Sequence, residues 1–288
     1  MGEDFRTNIA FQGIPGAYSN MACLAAYPEM TPLPCPTFED TFMAVTERRA
    51  ALAMIPIENS IAGRVADIHH LLPKSGLHVI AEHFQGVNHH LLAQRGATLE
   101  GITQVHSHIH ALAQCRTVIR ELGLDARVAA DTAGSAAEIA SRRDPSQAAI
   151  ASLLAAEIYD LEVLREKIED SAHNTTRFVI MAEEPADPDP ADGPVITTFV
   201  FKVRNIPAAL YKALGGFATN GINMLKLESY LEDESFTSAQ FYADVEGHPD
   251  ETALRLALEE LGFFSRTVNI LGVYTADTYR HRSSSGRE

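Results

Sequence analysis

The stretch Asn174-Thr175-Thr176-Arg177-Phe178 sets two adjacent hydroxyls and a permanent cation just ahead of a short apolar run, residues 178–181. Hydroxyl donors and a guanidinium at the mouth of a strand suit an oxyanionic, hydroxyl-bearing small molecule. By itself the stretch reads equally as a capped turn. A second group, Pro56-Ile57-Glu58-Asn59-Ser60, puts a carboxylate, an amide and a hydroxyl at the end of the apolar run 51–55. Open α/β sheets hold ligands at that edge, although Asn59 or Ser60 capping a helix that starts near Arg64 accounts for the same residues. Tyr18-Ser19, Ser107 and Thr132 with Ser135 repeat the pattern where a strand hands over to a helix. Each alone is an N-cap. Together they predict a cleft ringed by helix N-termini, which attract carboxylates.

The elements that must position these groups alternate between β and α. Residues 8–11 read as a strand, 13–19 as a glycine turn into a helix, 31–35 as a strand, and Thr37 with Asp40 as the capped start of a helix running to Arg48. Residues 77–84 and 87–93 alternate like paired strands. Residues 102–105 form a strand, Ser107-His108 open a helix that ends at Gly123, 126–130 form a strand, and Asp131 to Ser135 open another helix. Residues 148–151 lead through Ser152 into a helix, and the acidic run 161–170 looks helical at first sight, with 164–168 preceding the opening stretch. Residues 178–181 return the chain to the first unit, giving two α/β lobes with a cleft suited to a small anion. Residues 183–194, with four prolines and five acidic residues, form a linker. Strand 195–203, helix 207–219, strands 223–231 and 236–245 around Glu232-Asp233-Glu234, helix 251–261 and strand 268–274 then give βαββαβ, the ferredoxin-like order. The tail from Thr278 is polar and expected to be loose.

Composition excludes several classes. With 288 residues, 46% hydrophobic, the chain has material for two or three cores. A formal net charge of −15 is the opposite of a nucleic-acid footprint. No run reaches the roughly 18 apolar residues of a membrane span, and the N-terminus has no signal-peptide pattern, so a cytoplasmic protein is expected. Cys23, Cys35 and Cys115 are too scattered for a disulfide framework or a zinc site and read as small buried hydrophobes. The His69-His70 and His89-His90 pairs and the series His106, His108, His110 lack ligand spacing, so no metal is expected.

Four motifs, in order, make the chain similar to prephenate dehydratases from residue 8 to about 275: Gly13-Ile14-Pro15-Gly16-Ala17-Tyr18-Ser19, Pro56-Ile57-Glu58-Asn59-Ser60, Ser107-His108-Ile109-His110-Ala111-Leu112-Ala113-Gln114-Cys115 and Asn174-Thr175-Thr176-Arg177-Phe178. An ACT-like regulatory unit follows them. The resemblance implies a two-lobed, periplasmic-binding-protein-like catalytic domain at 8–182 (first lobe about 8–84 plus 175–182, second about 85–174), the linker 183–194, an ACT domain at 195–277 and a tail at 278–288. It implies that prephenate loses carbon dioxide and hydroxide to give phenylpyruvate, without a cofactor, in a homodimer or homotetramer inhibited by L-phenylalanine. Thr176 matches the essential threonine, with Glu58, Asn59, Ser107 and Gln114 as further catalytic positions. Arg177, Ser60, Thr175, Ser19 and Thr132 would hold the substrate, and Ala208, Ala209, Leu210, Asn223, Glu228 and Ser229 the effector. His108 falls on a motif position without a role.

The residue types fit that chemistry. Prephenate is a dianion whose ring becomes aromatic, so the enzyme has to hold two carboxylates and assist a departing hydroxide. Thr176 as donor to the hydroxyl is the leading expectation, and Glu58 kept protonated by burial is its rival. The chain departs from the family at Ile61-Ala62-Gly63, where Thr-Glu-Gly is commoner, and at Ile109-His110, where Pro-Gln is usual. In the ACT unit, Ala208-Ala209-Leu210-Tyr211 stands for Gly-Ala-Leu-Val and Glu228-Ser229-Tyr230-Leu231 for Glu-Ser-Arg-Pro. An arogenate dehydratase, a two-lobed amino-acid-binding protein and a purely regulatory ACT-bearing subunit are the alternatives.

Overall fold

The computed structural model describes residues 5–65, 68–231 and 239–280. The first lobe runs Asn8–Gln12 (β1), Tyr18–Ala26 (α1), Thr31–Cys35 (β2), Phe38–Thr46 (α2), Leu52–Asn59 (β3), Gly63–Arg64 (β4), Ile68–Leu71 (α3) and His78–Gly86 (β5). The capped start of α2 is as expected: Thr37 Oγ1 accepts from the Asp40 N–H and donates to its carboxylate. The strand expected to stop at Ile55 continues through Pro56 to Asn59, and the helix expected near Arg64 is instead the short β4 folded back on β3.

The second lobe contains His90–Ala93 (β6), Gln104–His108 (β7), Ile109–Gln114 (α4), Arg116–Glu121 (α5), Asp125–Ala129 (β8), Thr132–Arg142 (α6), Gln147–Ala151 (β9), Leu153–Ile158 (α7) and Glu162–Arg165 (β10). Thr175–Ala182 (β11) then returns to the first lobe, whose sheet has the order β2-β1-β3-β11-β5, with β4 on β3; the second sheet is β10-β6-β9-β7-β8. The expected pairing of 77–84 with 87–93 does not occur, because β5 and β6 belong to different sheets. The acidic run 161–170 is also no helix. Its carboxylates cap other elements: Asp170 accepts from the Arg116 and Thr117 N–H groups at the start of α5, and Glu169 from the His89 N–H.

The lobes touch through a glycine. Gly16 lies at φ +90°, and a Cβ there would sit 2.9 Å from the Cα and Cβ of Ala155. Only glycine adopts this conformation cheaply and lets the α7 start approach so closely. Ser152 caps α7 by accepting from the Ala155 N–H and donates its own proton to the Gly16 carbonyl, while the Tyr159 hydroxyl donates to the Pro15 carbonyl.

The third unit is Val195–Val203 (β12), Ala209–Thr219 (α8), Met224–Leu231 (β13), Ala239–Glu246 (β14), Thr252–Phe264 (α9) and Ser265–Thr275 (β15). Its antiparallel sheet, β13-β14-β12-β15, is the βαββαβ arrangement read from the sequence. The turn at residues 232–234 and the start of the strand expected from Phe236 lie outside the described residues. One sheet face carries α8 and α9 over a core of Phe199, Phe201, Phe217, Leu254 and Leu261. The other face packs on the first lobe, so that Ile55, Val79 and Val179 share one core with Val200, Tyr242 and Leu271. Close approach of the sheet there requires Gly272, whose Cβ would collide with the Val79 carbonyl. The start of the tail is ordered rather than loose: Tyr279 stacks on Phe84 at 4.6 Å, and Arg280 donates two hydrogen bonds to Glu82. No helix among the described residues is long and apolar enough to cross a membrane.

Candidate active site

β11 lies between β3 and β5, with Thr176 opposite Asn59 and Gln85, and Arg177 opposite Glu58 and Phe84. Side chains alternate across a strand. Thr176 therefore shares a face with Asn59, while Thr175, Arg177 and Glu58 turn to the other.

The Thr176 face carries a hydrogen-bond network whose polarity can be worked out. Asn59 Oδ1 accepts from the Ile61 and Ala62 backbone N–H groups at 3.0 and 2.8 Å. Its NH2 must then face the other way, and Nδ2 donates to Thr176 Oγ1 at 2.9 Å and to Asn174 Oδ1 at 2.7 Å. Asn174 Nδ2 donates in turn to Gln114 Oε1 at 2.8 Å. His89 Nε2 lies 2.8 Å from the same oxygen and carries the proton between them. Burial, partly offset by Gln114 and Glu169, holds the His89 imidazole below its ordinary pKa, so near neutrality it has one proton. Its Nδ1 is then an acceptor, 2.9 Å from the Tyr18 hydroxyl, whose single proton is shared with the Asn88 carbonyl at 2.6 Å. Burial, with Cys115 and Glu169, pushes the Tyr18 phenol well above its usual value and keeps it neutral.

The chain Tyr18–His89–Gln114–Asn174–Asn59–Thr176 thus joins both lobes where the polypeptide crosses between them. It has a chemical consequence at Thr176 and at Gln114. The Thr176 oxygen is an acceptor toward Asn59, and its proton has no acceptor among the described residues; the side chain is half-buried. Gln114 commits its oxygen, and its NH2 has no acceptor among the described residues. Two donors are preorganised for an oxygen that arrives from outside.

Arg177, expected to bind substrate, is instead 3% exposed on the opposite face. Nε donates to Glu82 at 2.8 Å, Nη1 to Asp244 at 2.5 Å and to Glu58 at 3.2 Å, and Nη2 to the Tyr274 hydroxyl at 3.0 Å. Three carboxylates and the Tyr274 hydroxyl take four of its five N–H groups, one of the carboxylates coming from β14 of the third unit. Glu58 is no reserve of protons either. Burial alone would raise its carboxyl, but Lys226, 2.6 Å away, and Arg177 outweigh burial and hold it below its ordinary value. Ser60 closes the β3–β11 mouth, donating to the His173 carbonyl and accepting from the Thr175 N–H. Thr175 Oγ1 lies 3.3 Å from the Tyr279 hydroxyl. Ser107 is fully buried at the end of β7, not at a helix start, and donates to the Ile150 carbonyl. His108 instead caps α4, Ser19 is half-buried in the first turn of α1, and Thr132 opens α6 behind its cap Asp131.

Sequence reasoning missed His89 and Asn174 as site residues. The sequence offers His89 as one of the histidines without ligand spacing, and its signal, a histidine at the crossing between lobes, becomes visible only once that crossing is located.

In the third unit, Ala208, Ala209 and Leu210 line a cavity of about 530 Å³ with Arg204, Tyr211 and Arg266. Asn223 and Glu228 are not among its lining residues. Glu228 faces the first lobe, near Lys226 and Arg64, and Ser229 offers its carbonyl to Arg64. Only part of the expected effector set is brought together.

The family model for prephenate dehydratase matches residues 9–186. The chain belongs to the prephenate dehydratase family. A bifunctional N-acyl-homoserine lactone acylase/prephenate dehydratase of Komagataeibacter europaeus is 52% identical over 274 residues, 95% of this chain and 98% of that protein. An arogenate dehydratase/prephenate dehydratase of Arabidopsis thaliana is 39% identical over 97% of this chain and 74% of its own. The structure of the prephenate dehydratase of Arthrobacter aurescens in complex with L-phenylalanine superposes with a TM-score of 0.84 at 29% identity, covering 93% of this chain and 90% of that one.

Proposed function

We propose that the chain converts prephenate to phenylpyruvate. The ring carboxylate leaves as carbon dioxide, its bonding electrons enter the ring, the C–O bond breaks and the hydroxyl departs as hydroxide, which solvent then neutralises. The observation that carries this reading is the Thr176 hydroxyl, whose oxygen accepts from Asn59 and whose proton has no acceptor among the described residues. It hydrogen-bonds the departing hydroxyl as negative charge grows there, with the Gln114 NH2 as a second donor. Neutral donors rather than Arg177 then meet the substrate, together with backbone N–H groups at helix starts such as that beside Ser19. Incubation with prephenate, followed by detection of phenylpyruvate, is the test. Thr176→Ala lowers kcat by about 10²–10³-fold with a small change in KM, as expected on removing a transition-state donor, and Thr176→Ser retains most of the activity. A change confined to KM would reject the role. Arogenate, which would give L-phenylalanine directly, is compared by paired kcat/KM values.

The reading includes inhibition by L-phenylalanine at the cavity beside Ala208, supported by the L-phenylalanine complex of the Arthrobacter relative. Asp244, on β14, grips Arg177, the residue after Thr176 in β11, which offers a direct route from that unit to the donor. Titration of L-phenylalanine during turnover tests this, and a flat response rejects it. The reading also includes assembly as a homodimer or homotetramer. A second activity, hydrolysis of the amide of N-acyl-homoserine lactones, is favoured by the 52% identity to the bifunctional relative and is tested by release of homoserine lactone.

A further inference from the structure

Beyond β15 the chain turns back onto the first lobe. Asp277, Tyr279 and Arg280 contact β5 and the first residue of β11, on the face of the sheet that Arg177 occupies. Tyr279 lays its ring on Phe84 at 4.6 Å, with 12° between the planes, and brings its hydroxyl 3.3 Å from Thr175 Oγ1. Arg280 forks onto Glu82, Nε to one oxygen at 2.6 Å and Nη2 to the other at 2.7 Å. The Asp277 N–H also donates to Glu82, and the Asp277 carboxylate accepts from the Tyr279 N–H, which folds the segment back on itself.

Glu82 supplies a second observation. Its side chain has no exposed surface, and among the described residues its two oxygens accept four N–H donors, one from Arg177 and three from Asp277 and Arg280. A carboxylate offers about four acceptor positions, and burying one is costly unless it is paired and hydrogen-bonded. Without the segment, Glu82 would keep Arg177, which Asp244 and Glu58 also engage. Glu82 is thus built to receive residues 277–280.

The other end of the contact is the mouth of β11. From β3, the Ser60 N–H donates to the Thr175 carbonyl at 2.9 Å, and the Ser60 hydroxyl accepts from the Thr175 N–H at 3.0 Å. Ser60 therefore holds the Thr175 backbone, and Tyr279 meets its side chain. The next residue, on the opposite face, is Thr176.

We infer that residues 277–280 form a strap that positions Thr176: Arg280 fastens it to β5 through Glu82, and Tyr279 fixes the first residue of β11 against Phe84 of β5. Thr175 is then the anchor of the strap and not a ligand of the substrate, and Tyr279 and Arg280 are positioning residues. The inference rests on the reading of Thr176 as the donor to the departing hydroxyl.

The first test is a kinetic cycle on the full chain with prephenate, using Thr175→Val and Tyr279→Phe, which keep shape and remove the two hydroxyls that meet. Each should lower kcat by about two- to tenfold, the range one hydrogen bond supplies, with KM within about twofold of the parent. The double variant should be no slower than the worse single one. A rise in KM for Thr175→Val that Tyr279→Phe does not share would make Thr175 a substrate ligand, and losses that multiply in the double variant would make the hydroxyls independent; either result overturns the inference. Hydrogen–deuterium exchange needs no substrate. Arg280→Gln should speed exchange in peptides covering residues 80–86 and 173–179 while peptides from α8 and β9 exchange as in the parent. Arg280→Lys, which keeps a cation beside Glu82, should give a smaller rise. Unchanged exchange, or an equal rise across the chain, would overturn the strap as a local device. If the parent forms no phenylpyruvate, the function proposed above fails, and the exchange result alone decides whether residues 277–280 hold the mouth of β11.

Discussion

Ala208 sits at φ +60°, in the left-handed region, immediately before α8 and with no side-chain cap. A Cβ in that conformation costs roughly 1–2 kcal/mol, while glycine at the same place adds about 0.4–1 kcal/mol of unfolded-state entropy. Ala208→Gly is therefore expected to stabilise the protein by about 0.5–1 kcal/mol, a rise in Tm of about 1–4 °C by thermal denaturation. The resemblance places this position, where the family pattern has glycine, among the expected effector residues; the backbone shows a conformational cost as well. Single residues elsewhere were legible in type but not always in direction. Thr176 and Arg177 were read as one cluster because they are adjacent. Adjacency in a strand separates them onto opposite faces, and the strand begins at Thr175, three residues before its first apolar side chain.

Among the elements, the contact between β11 and β14 has the largest energetic consequence. Arg177 and Asp244 are both buried, and Glu82 accepts from Arg177 and Arg280 with no exposed side-chain surface of its own. Removing one partner of such a pair typically costs about 3–5 kcal/mol, so Asp244→Asn should lower Tm sharply at pH 7. The pH dependence fixes the sign. Burial alone would raise the Asp244 carboxyl, but Arg177 and the Thr198 hydroxyl outweigh it and hold it below its ordinary value. The unfolded chain therefore takes up this proton first as pH falls. The stabilisation is complete above the unfolded carboxylate pKa of about 4 and is lost as pH drops through the lower folded value. Melting curves across pH should show the gap between the protein and Asp244→Asn narrowing below about pH 4, and a constant gap would reject the assignment. This contact could not be read from sequence. The βαββαβ order was legible from strand and helix periods, whereas Thr198 and Asp244 look like breaks in apolar strands until the first lobe is seen to cover that face.

For the whole molecule, the alternation of strands and helices foretold two lobes and a return crossing, but not which strands pair. Residues 77–84 and 87–93 alternate in the same way, yet they enter separate sheets, since a period of two identifies a strand without naming its neighbour. What brings the lobes together is local and steric, at Gly16. Gly16→Ala adds a methyl that meets the Ala155 backbone and side chain at 2.9 Å and strains a backbone at φ +90°. The Ser152–Gly16 contact would open, and the ends of the network running from Tyr18 to Thr176, one anchored beside this loop and one on β11, would no longer be held in register. Misplacement on the scale of an ångström can cost about 10²-fold in rate. The expected outcome is a kcat/KM lower by about that factor and a larger radius of gyration in solution scattering, with the far-ultraviolet circular dichroism unchanged. Gly13→Ala separates collision from strain. Gly13 also has positive φ, +121°, but a Cβ there meets only Ala17 Cβ, at 3.4 Å, an ordinary contact. That variant should lose stability while keeping the radius of gyration of the parent, and an equal expansion in both would mean that Gly16 acts through its own backbone rather than through Ala155.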